Sequence, residues 1–169
     1  MAARSRLPLP LDHNFPQPIL DVLDEYLVEV ELTPIRRIDS RLPALEDRDL
    51  FVALHQLGFP GLITANYKML KNPRELAALM STKLTVFAIE GVGHDPLRAT
   101  GALLLDLPGA LKRFERDKAQ VFWLRPRQPQ PTDPWDLFTK AAGQIGEERQ
   151  ALFDRLRVPP DELANPILT

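Results

Sequence analysis

Five short apolar segments alternate with helical patterns along most of the chain, and this alternation constrains the fold more than any other feature. Each segment has the length and the β-branched, aromatic or aliphatic content of a strand. The segments span residues 7–11, 28–35, 61–65, 83–89 and 119–124. Strands that are separated by helices favour a parallel sheet with helices on its faces. The sequence therefore predicts an α/β fold with three αβα layers around a mostly parallel, five-stranded sheet.

Proline modifies this pattern at several points, since 17 of the 169 residues are proline. Pro8 and Pro10 predict that the first strand is edge-like or starts irregularly, because proline cannot donate a ladder hydrogen bond. Residues 36–43 form a polar connection. Pro108-Gly109 is the candidate break in a helix that is predicted over residues 96–114.

The composition changes after residue 124. Residues 125–134 contain four prolines, which predicts an extended and stiff connector. A single last helix is predicted from Trp135 to Leu156, with apolar residues available for docking a partner. The predicted organisation is thus a domain over 1–124, a connector over 125–134, and a C-terminal helix and tail over 135–169.

Composition also excludes several classes of protein. The absence of cysteine removes disulfides, thiolate zinc sites and cysteine nucleophiles. No apolar run approaches the length of a membrane span, and the N-terminus lacks the apolar core of a signal peptide, so we expect a cytoplasmic protein without a membrane partner. The net charge of −2 argues against a globally basic nucleic-acid binder but allows a local basic patch.

One such patch lies around the fifth predicted strand. Cations beside aromatic rings suit single-stranded RNA. However, the strand pattern favours a core position for Phe122 and Trp123. The cations are Lys112, Arg113, Arg116, Lys118, Arg125 and Arg127.

Polar side chains lie where the carboxyl ends of the predicted strands meet, which is where open parallel sheets bind ligands. Asp12 and Asn14 follow the first strand, Asn66 follows the third, and Asp47 and Asp49 begin the preceding helix. Short oxygen-bearing side chains are the ligands that Mg²⁺ prefers. Most of these residues also have a structural explanation as a helix cap, a helix-dipole partner or a turn residue. Asp12 has the least obvious structural role.

These positions match a known motif pattern. D-H-N-F-P at residues 12–16, followed by a helix, resembles the D-E-N-L-P opening of PIN-like domains, the nuclease fold of VapC-type toxins and their short relatives. The helix from Asp49 and the strand ending Thr64-Ala65-Asn66-Tyr67-Lys68-Met69 are similar to the family's helix-start acid and its T-x-D-x-D-F motif. The resemblance covers residues 7–90, about half of the chain.

The resemblance implies a role for each matching residue. Asp12 and Asp49, or Asp47 in a shifted register, would bind Mg²⁺ or Mn²⁺, and Asn66 would complete the catalytic group. Asn14 and Lys68 would contact the substrate. Apart from the resemblance, Arg36 and Arg37 form a small basic group near the acidic edge and are further candidates for substrate binding. His13, Asn66 and Lys68 depart from the family pattern, because the family has acids there.

The function so implied is a metal-dependent endonuclease, in particular an endoribonuclease acting on single-stranded RNA. A protein partner such as an antitoxin, and a homodimer, are further implications of the resemblance. One alternative is a PIN-like RNA- or protein-binding module without catalysis. Another is an unrelated α/β module whose C-terminal helix docks a partner. A haloacid-dehalogenase-type phosphatase would need an acid at Asn14.

Overall fold

The strands of the molecule span Leu7–Asp12 (β1), Val30–Pro34 (β2), Gly61–Thr64 (β3), Thr85–Ile89 (β4) and Gln120–Leu124 (β5). They form one sheet in the spatial order β2-β1-β3-β4-β5, and every neighbouring pair is parallel. The structure, a computed structural model, describes residues 6–12, 15–91, 95–125 and 133–160. The predicted five-stranded sheet is confirmed.

Helices cover both faces of this sheet. They are Gln17–Tyr26 (α1), Ile35–Ile38 (α2), Asp47–Gln56 (α3), Pro73–Thr82 (α4) and Pro96–Leu111 (α5). Leu23 of α1 and Leu103 of α5 share a core with Phe87 of β4. Leu54 of α3 packs in a second core with Val86, the neighbour of Phe87 in β4. Successive side chains of a strand point to opposite faces. The architecture is therefore the predicted three-layer αβα sandwich.

The chain divides into two compact units, Met1–Arg127 and Gln128–Thr169. The sheet and helices α1–α5 belong to the first unit. The second contains the helices Pro134–Gln144 (α6) and Arg149–Leu156 (α7). Residues 126–132 of the predicted connector lie outside the described residues.

β1 lies inside the sheet despite its prolines, whereas an edge-like strand was one of the two expectations. It pairs with β2 from Leu7 to Leu11, but with β3 only at Leu11 and Asp12. The backbone N–H of Leu7 donates a hydrogen bond to the backbone carbonyl of Glu29, just before β2. Because backbone groups alternate in direction along a strand, the backbone nitrogens of Pro8 and Pro10 point towards β3. Their missing donors therefore fall where no β3 ladder forms.

The chain after β2 is more ordered than the predicted polar connection. β2 ends at Pro34, and α2 and a 3₁₀ turn at Leu42–Ala44 follow. Ile35 and Leu42 are each only 4% exposed. Burial of these two apolar residues in the second core orders the segment.

The C-terminal helix prediction was wrong, because two helices replace the single one. Gly146 adopts a φ of +74° after α6, a conformation that glycine tolerates best. The Glu148 carboxylate then accepts hydrogen bonds from Gln150 and Ala151 and caps α7. The α7 ring of Phe153 packs edge-on against Trp135 and Phe138.

α5, in contrast, continues through Pro108 without the candidate break. A proline inside a helix costs about 3 kcal/mol. Burial of Leu103 and Leu107 before it and of Ala110 after it offsets this cost. Tertiary packing therefore overrides the local preference.

α5 has 16 residues. Among the residues that the structure describes, none of the helices combines the length and the hydropathy that crossing a bilayer requires.

The close approach of β3 and β4 at Gly61 can be tested by substitution. An added Cβ at Gly61 would lie 2.4 Å from the backbone oxygen of Thr85. We expect Gly61→Ala to lower the free energy of unfolding by about 1–3 kcal/mol, measured by urea denaturation. Gly101→Ala is the control, because its Cβ meets no atom within 4 Å and should stabilise α5 by about 0.5–1 kcal/mol. Equal stability of Gly61→Ala and the wild type would contradict the close approach.

Candidate active site

The candidate site begins where β1 and β3 end side by side. Asp12, the last residue of β1, is in register with Thr64, the last residue of β3. The Thr64 hydroxyl donates a hydrogen bond to Asp12 Oδ2 at 3.2 Å. Thr64 Oγ1 in turn accepts a hydrogen bond from the backbone N–H of Asn66 at 3.0 Å. The fully buried Thr64 thus orients both the Asp12 carboxylate and the turn that follows β3.

Asp47 reaches this edge from the first turn of α3. Asn66 Nδ2 donates to both carboxylate oxygens of Asp47, at 3.4 and 3.3 Å. Burial raises the pKa of Asp47, and the negative charges of Asp12 and Glu75 raise it further, while the Asn66 hydrogen bond opposes the change. Two like charges near each other disfavour ionisation of both. Asp12 and Asp47 therefore form an electrostatically coupled acidic pair.

A cavity of about 760 Å³ opens beside this pair. Its polar wall includes Asp12, Asp47 and Asn66, and Lys68 adds a cation to the same lining. The apolar residues Ile35, Leu42, Leu45 and Leu50 contribute to the lining as well. The cavity lies between β1 and β3, the strands at which the order of the doubly wound sheet reverses. Ligands bind at such switch points.

Glu75, in the first turn of α4, was missed by sequence reasoning. It is 9% exposed, and its Oε2 has no hydrogen-bond partner within the described part of the chain. Its charge contributes to the raised pKa of Asp47. The signal for it was weak, because an acid in the first turn of a helix is favoured by the helix dipole in any protein.

The other predicted site residues take different positions. Asp49 is exposed and pairs with Arg48 at 2.8 Å, and it is absent from the described lining of the cavity. The structure therefore brings Asp47, rather than Asp49, to Asp12. Arg36 and Arg37 lie in α2 outside that lining, and the Arg37 guanidinium donates to Gln17 Oε1.

Part of the predicted site is not covered by the structure. Asn14 and His13 lie outside the described residues. Gly91, two residues after the end of β4, lines the cavity with a φ of +79°, a conformation that glycine tolerates best.

The donor set is suited to an open, hydrated cation site. Within the described ranges, no group of three or more histidine, cysteine or acidic residues is placed to hold a metal ion. Magnesium, however, is usually bound by one or two carboxylates together with water and substrate phosphate. Asp12 and Asp47 supply two carboxylates, of which Asp12 raises the pKa of Asp47, and Asn66 adds an amide. These residues fit Mg²⁺ or Mn²⁺ in such a site and do not fit a closed metal cage.

Comparison with protein-family models finds no match to this chain, and neither curated proteins nor solved structures provide one.

The raised pKa of Asp47 leads to a stability test. The folded state binds the carboxyl proton of Asp47 more tightly than the unfolded state does. Protonated Asp47 therefore stabilises the fold, and this contribution is fully present below the ordinary pKa of 3.8. That contribution is lost as the pH rises through the raised pKa. At pH 7, Asp47→Asn should therefore increase the free energy of unfolding, by up to about 1 kcal/mol.

Asp49→Asn is the matched control, because it removes an acid from the same helix turn and leaves the pair with Asp12 intact. We expect no gain in stability from it, since Asp49 already has Arg48 as a partner. Urea titrations at pH 7 and pH 3 measure both effects. The Asp47→Asn gain should shrink at pH 3, and a gain of the same size for both variants would contradict the coupling.

Proposed function

We propose that the protein is a divalent-metal-dependent endonuclease that hydrolyses phosphodiester bonds in RNA. The observation that carries the proposal is the convergence of Asp12 and Asp47 on one cavity at the switch between β1 and β3. An acidic pair at a switch point favours a cation with a phosphorylated ligand over an anionic ligand alone. The resemblance of residues 7–90 to PIN-like domains supports the same activity, with Asp47 taking the place of the helix-start acid.

In this proposal Asp12 and Asp47 hold Mg²⁺ or Mn²⁺. A bound ion at this position would lower the pKa of a water molecule and neutralise charge on the phosphodiester. Thr64 orients Asp12 through its hydroxyl, and Asn66 orients Asp47 through its side-chain amide. Lys68, exposed at the cavity, binds a substrate phosphate. The proposed setting is the cytoplasm.

A second candidate is a module of the same fold that binds RNA or a protein without cleaving it. The observation in its favour is that Asn66 and Lys68 stand where the resembling family has acids, which leaves the site with less negative charge. The exposed Leu137 and Ile145 of the C-terminal unit, at 57% and 64% exposure, would then serve as a partner surface.

Cleavage of a fluorescently labelled single-stranded RNA separates the two candidates. We expect hydrolysis with Mg²⁺ or Mn²⁺ and none with chelator. Asp12→Asn and Asp47→Asn should each reduce the rate by at least about a hundredfold, because each removes a charged ligand of the ion that would neutralise charge on the phosphodiester. Asp49→Asn should retain the wild-type rate, since Asp49 pairs with Arg48 outside the cavity. Equal rates for the wild type and Asp12→Asn would falsify the nuclease proposal.

Metal binding gives a readout that does not depend on cleavage. An ion that binds only the folded state stabilises it by about 2.7 kcal/mol at a hundredfold excess over the Kd. Mg²⁺ or Mn²⁺ should therefore raise the melting temperature of the wild type and of Asp49→Asn, but not that of Asp12→Asn. If millimolar metal shifts none of the three proteins, the binding module without catalysis becomes the better interpretation.

A further inference from the structure

The outer strand β5 presents an aromatic ring to the surface. Phe122 and Trp123 are in register with Phe87 and Ala88 of β4, so the two side chains lie on opposite faces of the sheet. Phe122 is half-buried and stacks on Phe87, with 5.4 Å between ring centroids. Trp123 is 38% exposed. The expected core position is therefore confirmed for Phe122 and wrong for Trp123, because the helices that bury Ala88 leave β5 uncovered on that face.

The exposed Trp123 is connected to the candidate active site by a second ring. Tyr67 contacts Trp123 edge-on, with 6.4 Å between centroids. Tyr67 also lines the cavity that contains Asp12 and Asp47. The half-buried Tyr67 and the exposed Trp123 are therefore in contact with each other between the cavity and the edge of the sheet.

Each ring has a cation beside it. Lys71 Nζ lies 5.6 Å from the centroid of Tyr67, and the guanidinium carbon of Arg125 lies 5.6 Å from that of Trp123. Glu90 holds Arg125 in an ion pair next to the indole. Lys71 takes part in no ion pair among the described residues, so its charge is available to a ligand.

We propose that Tyr67, Trp123, Lys71 and Arg125 form a stacking surface for single-stranded nucleic acid, along which the strand reaches the acidic cavity. Unpaired bases stack on exposed aromatic rings, and lysine and arginine contact the phosphates between them. Bases within a duplex are already stacked on each other and cannot use such a surface. The direction towards the cavity rests on the proposed nuclease function, but the stacking surface itself does not.

Two substitutions of Trp123 test the stacking. Trp123→Leu keeps an apolar side chain but removes the ring, whereas Trp123→Phe keeps a ring. Binding of a fluorescein-labelled ten-nucleotide single-stranded RNA is measured by anisotropy at low salt with EDTA, so that metal-dependent cleavage does not occur. We expect Trp123→Leu to weaken binding by about 5- to 150-fold and Trp123→Phe to retain most of the affinity.

Val121→Ala is the matched control. Val121 lies on the same face of β5, in register with Val86, and is 36% exposed. It carries no ring, so its truncation should leave RNA affinity unchanged. Lys71→Ala should reduce the slope of log K against log salt by about 0.7, because one phosphate contact is lost.

The outcomes separate this proposal from the nuclease proposal. Weaker binding by Trp123→Leu with no metal-dependent cleavage supports the stacking surface and rejects the nuclease. Cleavage by the wild type with equal RNA affinity for Trp123→Leu and the wild type overturns the stacking surface alone. Equal affinity of the wild type for the single strand and for a blunt duplex of the same sequence also overturns the stacking surface. If the protein binds no oligonucleotide, the stacking surface is overturned as well, and a protein becomes the favoured occupant of this face.

Discussion

The pairing of β1 with β3 over their last two residues is the constraint on which the candidate site depends. Pro8 and Pro10 remove the donors that would extend this ladder backwards, so the strands meet only at Leu11 and Asp12. The contact that remains places the Asp12 carboxylate against the Thr64 hydroxyl. The prolines therefore shorten the pairing of β1 with β3 but leave it intact at the two residues beside the site.

The three acidic residues at the start of α3 have different partners. Glu46 pairs with Arg74, and Asp49 pairs with Arg48. Asp47, between them, has the Asn66 amide as its partner, together with two nearby negative charges. A surface acid can be stabilised strongly, as at Asp39, where hydrogen bonds from Arg41 hold the pKa well below its usual range. Among the described residues, Asp47 has no arginine placed as Arg41 is at Asp39, and the charges of Asp12 and Glu75 raise its pKa instead.

The layers of the fold could be predicted from the sequence because strand and helix periodicities differ clearly. Asp12 and Asn66 could be placed at one edge for the same reason, since parallel strands end together. The choice between Asp47 and Asp49 could not, because both lie in the first turn of α3 and only the rotation of that helix decides which faces the cavity. Glu75 escaped notice because an acid near a helix start has a local explanation. The prediction of a single C-terminal helix was wrong at Gly146, because the pattern of apolar residues does not reveal the positive φ of this glycine.

Trp123 shows a different limit of sequence reasoning, and it also bears on how an acidic cavity could receive RNA. Strand alternation assigns a side chain to a face, but whether a helix covers that face depends on the rest of the fold. The net charge of −2 is a poor guide here, because surface charges are screened within about 8–10 Å at physiological salt. A phosphate therefore responds to the charges nearest to it. Next to Asp12 and Asp47 it is repelled unless a cation is present, whereas next to Lys71 it is attracted and its bases gain two rings. An RNA strand that first binds to Tyr67 and Trp123 would extend from there to Asp12 and Asp47. The divalent ion would then be needed only for the phosphate that lies next to these two acids.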